Sequence, residues 1–308
     1  MSKFQRSWVL LKCSVRVIGM NKKLLLFPIL FMLFAVVMAA FFALPIILGS
    51  IGHPASDSAY WQNVVDRWVT HNASGRIALT PAAYGLLAVV YLVATFFATF
   101  FNVAYYSQII NALRGEPVSV LGGLRLALSR WRAILVWSLF TGIVGLIIRA
   151  IEERVSIFGR WIVGLLGIAW SVASVFVVPV IVMDAKTTNP VQFLKTSASL
   201  LRKTWGESLF GYVGLRFGGL LVFVASLLLL AAGFGLSFAT HTIWFLAVAA
   251  VLWLVSLTVF MFLLNVAGQV FLGALYIYAA EGVPPVPFER DQMDMAWKIK
   301  AEKKKPKG

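Results

Sequence analysis

Residues 242–280 read TIWFLAVAAVLWLVSLTVFMFLLNVAGQVFLGALYIYAA, 39 positions between His241 and Glu281 without one acidic or basic side chain. A helix of that length reaches about 58 Å at 1.5 Å per residue, whereas a bilayer core needs only about 20 apolar helical residues. The stretch is a membrane span with length to spare. A second uncharged run, of 37 residues, separates Arg76 from Arg114. Shorter runs bounded by polar, Gly or Pro signals bring the predicted spans to six: Leu24–Gly49, Ala82–Ile110, Ala133–Ile151, Trp161–Met183, Leu209–Leu236 and Ile243 to about Gly268. The two overlong runs must tilt, break or project beyond the membrane, and projection on the cytoplasmic side is the favoured reading.

Composition agrees. Of 308 residues 60% are hydrophobic and only 13% charged, which puts the chain outside the range of soluble domains. The basic segment before the first run (Lys3, Arg6, Lys12, Arg16, Lys22, Lys23) superficially resembles a signal peptide. However, Leu24–Gly49 is 26 residues long, against about 7 to 15 in a signal core, so it is expected to be a retained span. The net charge of +15 is resolved by position. Six Lys and Arg precede the first span, four lie between the second and third, four between the fourth and fifth, and seven in the C-terminal tail, 21 on one side. The opposite loops hold five, and Arg216 falls inside a span. By the positive-inside rule both termini are cytoplasmic, and the basic excess reports topology rather than nucleic acid. The single cysteine, Cys13, excludes an intramolecular disulfide and a Cys-cluster zinc site.

The chain also carries a threefold internal repeat. Pro117-Val118, Pro190-Val191 and Pro285-Val286 each follow an even-numbered span, and each opens a basic, amphipathic segment that reaches a tryptophan: Trp131, Trp205 and Trp297. Proline suits the first turn of a helix, where its missing N–H costs nothing. Phe4–Met20 is a fourth copy without the proline. The architecture implied is all-α: a polytopic bundle of three helical hairpins, each preceded by a cytoplasmic interfacial helix. The repeats run over about 1–113, 114–187 and 188–283, with a closing surface helix 284–297 and a disordered basic tail 298–308. Leu121, Leu124, Leu128 and Trp131 recur at helical spacing, as do Phe193, Leu194, Ser197, Leu200, Leu201 and Trp205. These stripes should dip into the headgroup boundary, with Arg125, Arg202 and Lys203 drawn to anionic lipid at about 1 kcal/mol each. Trp131, Trp205, Arg125, Arg202 and Lys203 are therefore the candidate lipid-interface residues.

Within the spans the polar residues are few. Phe101-Asn102-Val103-Ala104 resembles Leu264-Asn265-Val266-Ala267, with Gln108 and Gln269 close behind. Asn102, Asn265 and Gln269 either join helices by hydrogen bonds or line a polar cavity. Arg216 either snorkels to the interface, pairs with Asp184 or Glu281, or meets an anion. Gly211, Gly214 and Gly218 of the fifth span, and Gly164, Gly167, Ser171 and Ser174 of the fourth, offer small faces for close helix packing. His53, His71 and His241 fall in the outer loops without metal-ligand spacing, and Asn72-Ala73-Ser74 matches a glycosylation sequon. Tyr60, Trp61, Val64, Val65 and Trp68 form an amphipathic pattern in the loop after the first span.

No nucleophile elbow, P-loop, dinucleotide fingerprint, HExxH or CxxC occurs, and the longest segment outside the spans, Ser50–Pro81, is too short for a catalytic domain. No enzyme, cofactor or metal is expected. The opening Phe4-Gln-Arg-Ser7-Trp8-Val-Leu-Leu-Lys12-Cys-Ser14, followed by Asn21-Lys22-Lys23-Leu24-Leu25-Leu26-Phe27-Pro28, resembles an uncharacterised family of bacterial and archaeal integral membrane proteins, a domain of unknown function. The repeated hairpins more loosely resemble the membrane domain attached to some glycerophosphodiester phosphodiesterases. These resemblances imply six spans in a prokaryotic inner membrane and no catalytic residues. The expected role is a non-enzymatic scaffold or modulator at the cytoplasmic leaflet, its partners anionic membrane lipids and a protein or second copy of the chain. The alternative is a small transporter or lipid-handling protein with a path near Asn102, Asn265 and Arg216. A continuous polar cavity between the even spans would favour the alternative, and a dry, small-residue interior the scaffold.

Overall fold

A computed structural model describes residues 3–54, 56–71, 77–203 and 208–289, with backbone alone at 3–8, 45–46, 50, 71, 157, 203, 208–222 and 225. Eleven α-helices are seen among these residues: α1 (Lys3–Met20), α2 (Leu26–Ser50), α3 (Ser58–Trp68), α4 (Pro81–Leu113), α5 (Val120–Ser129), α6 (Trp131–Arg154), α7 (Ile157–Ala173), α8 (Val177–Met183), α9 (Pro190–Lys203), α10 (Ser208–Thr240) and α11 (Trp244–Glu281). A 3-10 turn, Lys22–Leu25, leads into α2. Five segments among the described residues are long and apolar enough to cross a bilayer: Lys22–Gly49, Pro81–Leu113, Trp131–Arg154, Phe158–Met183 and Trp244–Glu281. They mark the chain as a membrane protein. The remaining predicted span falls on α10, a 33-residue helix of which Ser226–Thr240 is the described apolar part.

The overlong runs do not break. α4 and α11 continue for 33 and 38 residues, about 50 and 57 Å. The first 22 residues of each are largely uncovered: before Val103 only Ala83 and Thr99 of α4 are buried, and before Val266 only Ala249 of α11. The last third of each is enclosed. Val103–Leu113, α8 and Val266–Tyr278 form the centre of the core, with Leu10, Val17, Leu24, Phe27 and Phe193 packed around them. The core thus occupies one end of the bundle, the end that carries α1, α5 and α9. Toward the other end, apolar side chains such as Met32, Val36, Phe41, Leu87 and Leu254 are exposed, as befits helices whose solvent is lipid.

The fourth span was expected to be continuous from Trp161 to Met183, but it divides into α7 and α8 at 174–176. Pro179 explains the break. It has no N–H and its ring clashes with the carbonyl four residues earlier, so it is accommodated at the third position of a new helix. The Phe176 N–H released by the break is buried and donates to Ser197 Oγ of α9 at 3.0 Å.

Each surface helix has its own seat. α5 packs on α4, α9 on α8, and α1 on α11 and α10. Of the Pro-Val signals only Pro190 stands at the first position of its helix. Pro117 lies in the linker, and Ser119 caps α5 by accepting from the Gly122 N–H at 3.2 Å, the hydroxyl satisfying a donor that proline's ring cannot. Val286 is in a turn, and the closing helix to 297 and the tail 298–308 lie outside the described residues beyond Phe288 and Glu289.

Between α3 and α4 the chain forms a feature that was not predicted, a two-stranded antiparallel ribbon. β1 (Val69–His71) and β2 (Ile77–Leu79) pair with Val69 opposite Leu79. At three residues each, these strands are too short for an alternation to show in the sequence. The sequon Asn72-Ala73-Ser74 falls among the undescribed residues between them.

Candidate functional site

Asn102 and Asn265 stand equally far along two long helices, each 21 positions after its first residue, Pro81 and Trp244. α4 and α11 pack together near their buried ends, and the two amides, with Gln269, line one cleft of about 480 Å³ between the start of α2, α4 and α11. Its other walls include Phe31, Met32, Phe101, Met261 and Phe262, and no charged residue lines it among the described residues. The Phe34 ring lies 4.3 Å from Phe97 and 5.3 Å from Phe101 between centroids, holding α2 beside α4. The cleft is closed behind. Val103, Ala104, Val266, Ala267, Val270 and Phe271 have no exposed surface.

The polar groups of the cleft are not equivalent, and Thr258 Oγ1 is spent on the Leu254 carbonyl of its own helix at 2.7 Å. Gln269 Oε1 accepts from Tyr106 Oη at 2.5 Å, a bond between α4 and α11 of the kind that joins membrane helices at about 0.6 kcal/mol on average. Tyr105 stacks on Phe27 at 5.5 Å, is only 5% exposed, and its buried hydroxyl has no hydrogen-bond partner among the described residues. Asn102 and Asn265 are exposed and make no hydrogen bond within the described part of the chain. Tyr105 and Tyr106 were not picked out from the sequence. The signal available was their position three and four residues after Asn102, on the same helix face.

Gln108, expected to act with these amides, serves elsewhere. Its Oε1 accepts from the Ser119 N–H at 2.8 Å and its Nε2 donates to Ser107 Oγ at 3.2 Å, tying the α4–α5 linker to α4. Glu281 pairs with Arg114 at 2.5 Å across the ends of α11 and α4, and Asp184 accepts from the Lys186 backbone N–H at 2.9 Å. Arg216 lies in α10, but its side chain is outside the described residues, so neither pairing with Arg216 is on view.

The interface residues divide. Trp131 is 47% exposed, and the Arg132 guanidinium lies 5.5 Å from the centre of its ring. Arg125 and Arg202 are exposed, whereas the Lys203 side chain and Trp205 lie outside the described residues. The stripe on α9 does not reach outward as expected. Phe193 and Ser197 are fully buried, and Leu194, Leu200 and Leu201 pack against the core. On α5, Gly123 and Ala127 are buried and Leu124 is packed inward, while Leu121 and Leu128 are exposed. The reason is competition for apolar surface, since α5 and α9 cover the apolar ends of α4 and α8.

The small faces also differ from expectation. Space around Gly164 and Gly167 is open, because α7 turns Trp170 inward onto Trp137, ring centres 6.1 Å apart. Gly211, Gly214 and Gly218 have no described side-chain surroundings. Close approach is made instead at Gly123, where an added Cβ would come 2.7 Å from the Ala104 carbonyl, and at Gly273, where it would come 2.7 Å from Ile109 Cγ2. On the far side of the bundle His53 Nδ1 is 3.0 Å from Asp57 Oδ2, and the His53 ring stacks on Tyr60 at 3.7 Å. Among the described residues no three His, Cys, Asp or Glu side chains gather as a metal site would require.

No curated protein and no solved structure matches this chain, so the likeness to the membrane domain of glycerophosphodiester phosphodiesterases gains no support. A family match does exist, and it begins where the long helices begin: residues 81–285, from the first residue of α4 to just past α11, fit the family of unknown function DUF6159. With well over half of its length matched, the chain belongs to the DUF6159 family.

Proposed function

We propose that this protein is a non-enzymatic, six-span membrane protein of the inner membrane, both termini cytoplasmic, that acts as a platform at the cytoplasmic leaflet. The reading rests on how the surface helices are mounted. α1, α5 and α9 seat a small or short buried residue on the core, Ser14, Gly123 and Ser197, and leave Lys12, Arg16, Arg125, Arg132, Lys195 and Arg202 exposed. Three hairpins are supported by the same arrangement. Each surface helix that follows an even span packs on that span, and α1, which follows none, takes the equivalent seat on α11, where a ring of three would close. A basic collar of this kind attracts anionic headgroups and offers a rigid surface to a protein partner or a second copy. The collar is tested by native mass spectrometry of the full chain released from nanodiscs holding equal phosphatidylglycerol and phosphatidylcholine. Retention of phosphatidylglycerol is expected to fall in an Arg125→Gln/Arg132→Gln/Arg202→Gln variant that melts like the wild type. Equal retention of both lipids by wild type and variant would refute the reading.

The second reading, lipid handling, draws on the cleft between α2, α4 and α11. The sealed packing behind it favours an occupant that enters from the membrane over a solute that crosses.

A further inference from the structure

The cleft holds polar groups with nothing to bond, and their chemistry narrows what would complete it. Asn102 and Asn265 stand about 31 Å along α4 and α11, which is about the thickness of a bilayer's hydrocarbon core. With the outer ends of these helices at one interface, the two amides reach the other, at the depth where acyl chains join their glycerol esters. A buried polar group gains a partner or bears a desolvation cost of order 1–3 kcal/mol; the Tyr105 hydroxyl is buried, whereas Asn102 and Asn265 are exposed and open to an entering ligand. Here the described residues supply none to Asn102, Asn265 or the buried Tyr105 hydroxyl.

What these groups offer is donors, with the two asparagine carbonyls as acceptors beside them. Gln269 uses its carbonyl oxygen to accept from Tyr106, which leaves its –NH2 for the cleft, and Tyr105 presents an unpaired O–H. The two asparagines add –NH2 groups. With no charged side chain among the described lining residues, the complement is an uncharged oxygen-bearing group attached to an apolar chain. Met32, Phe101, Met261 and Phe262 provide the apolar bed, and methionine adapts to a flexible chain. About 480 Å³ lies within the usual range of small-molecule sites, about 300–1,000 Å³.

We infer that the cleft between α2, α4 and α11 is a binding site for the acyl-ester portion of a glycerolipid, whose ester carbonyls accept hydrogen bonds from Asn102, Asn265, Gln269 and Tyr105. The ester comes either from a bilayer phospholipid or from a neutral diacylglycerol, and one experiment separates them. The full chain is reconstituted in nanodiscs of phosphatidylethanolamine and phosphatidylglycerol with a trace of diacylglycerol carrying a diazirine beside the acyl carbonyl, or of phosphatidylglycerol carrying the same group. Cross-linked peptides are then mapped by mass spectrometry. Labelling is expected to concentrate on peptides containing Met32, Asn102 and Asn265. It should fall about tenfold in Asn102→Leu/Asn265→Leu, the equivalent of one to two neutral hydrogen bonds. Tyr105→Phe, which removes one buried hydroxyl and keeps the ring, should lower it about threefold and serves if the double variant does not fold. Labelling by the diacylglycerol probe alone assigns the site to a neutral glyceride. Labelling by the phosphatidylglycerol probe, alone or together with the other, assigns it to the ester level of the bilayer's own lipid. Cleft labelling no stronger than on the exposed Leu146–Ile147 face of α6, or labelling unchanged in both variants, overturns the proposal. Removing the collar arginines leaves cleft labelling in place, so the two proposals fail separately.

Discussion

Ser197 shows how one side chain on a surface helix can decide the integrity of a span. Its hydroxyl accepts the Phe176 N–H that Pro179 leaves free, in a fully buried setting. Replacing Ser197 with Ala strands that donor, and the expected loss is about 1–3 kcal/mol. Thermal melting in detergent should show it, with exposed Ser171→Ala, bonded only to the carbonyl of its own helix, as the near-neutral control. At the opposite end Asp57 accepts from His53 and from the Tyr60 backbone N–H, capping α3. Those bonds, the His53 one foremost, hold its carboxyl below the ordinary 3.8. A carboxyl depressed in the folded state lends stability above its unfolded value and loses it as pH falls through the lower, folded one. Trp61 fluorescence, which reports this loop through the bond from Trp61 Nε1 to the Pro54 carbonyl, should show a shift below about pH 3.8 as the carboxyl protonates. An equal shift in Asp57→Asn would detach the effect from this carboxyl.

Among the helices, two of the close contacts lie at the buried ends of α4 and α11. Gly123→Ala drives a methyl into the Ala104 carbonyl and Phe27, and Gly273→Ala drives one into buried Ile109. Each is expected to cost about 1–3 kcal/mol by overpacking. Gly164→Ala and Gly167→Ala face open space, so they should be neutral or raise the melting temperature slightly through helix propensity. Small residues alone did not reveal which glycines matter. Gly164 and Gly167 repeat at the spacing of a packing face, yet α7 is turned by Trp170, whose stacking on Trp137 engages far more surface than a glycine can.

At the scale of the whole molecule the proposed six-span topology makes a direct prediction. Cys13 is the only cysteine and is buried, and burial pushes its thiol above the usual range, so its background reactivity is low. A membrane-impermeant maleimide added to intact spheroplasts should label Ser58→Cys in α3 and spare Ser129→Cys at the end of α5 until the membrane is opened. The reverse pattern would invert the orientation. Much of this fold can be read from the chain: uncharged length sets the spans, Lys and Arg placement argues their direction, and apolar periodicity locates α5 and α9, because these depend on local composition against a fixed bilayer thickness. The matching Asn102 and Asn265 quartets even drew attention to the right residues. Their meeting in one cleft, the unpaired Tyr105, the break before Pro179 answered by Ser197, and the inward turn of the α9 stripe came only with tertiary structure. Each depends on which helix lies beside which and at what rotation, and that is settled by packing between residues far apart in the chain, which no local window of sequence contains.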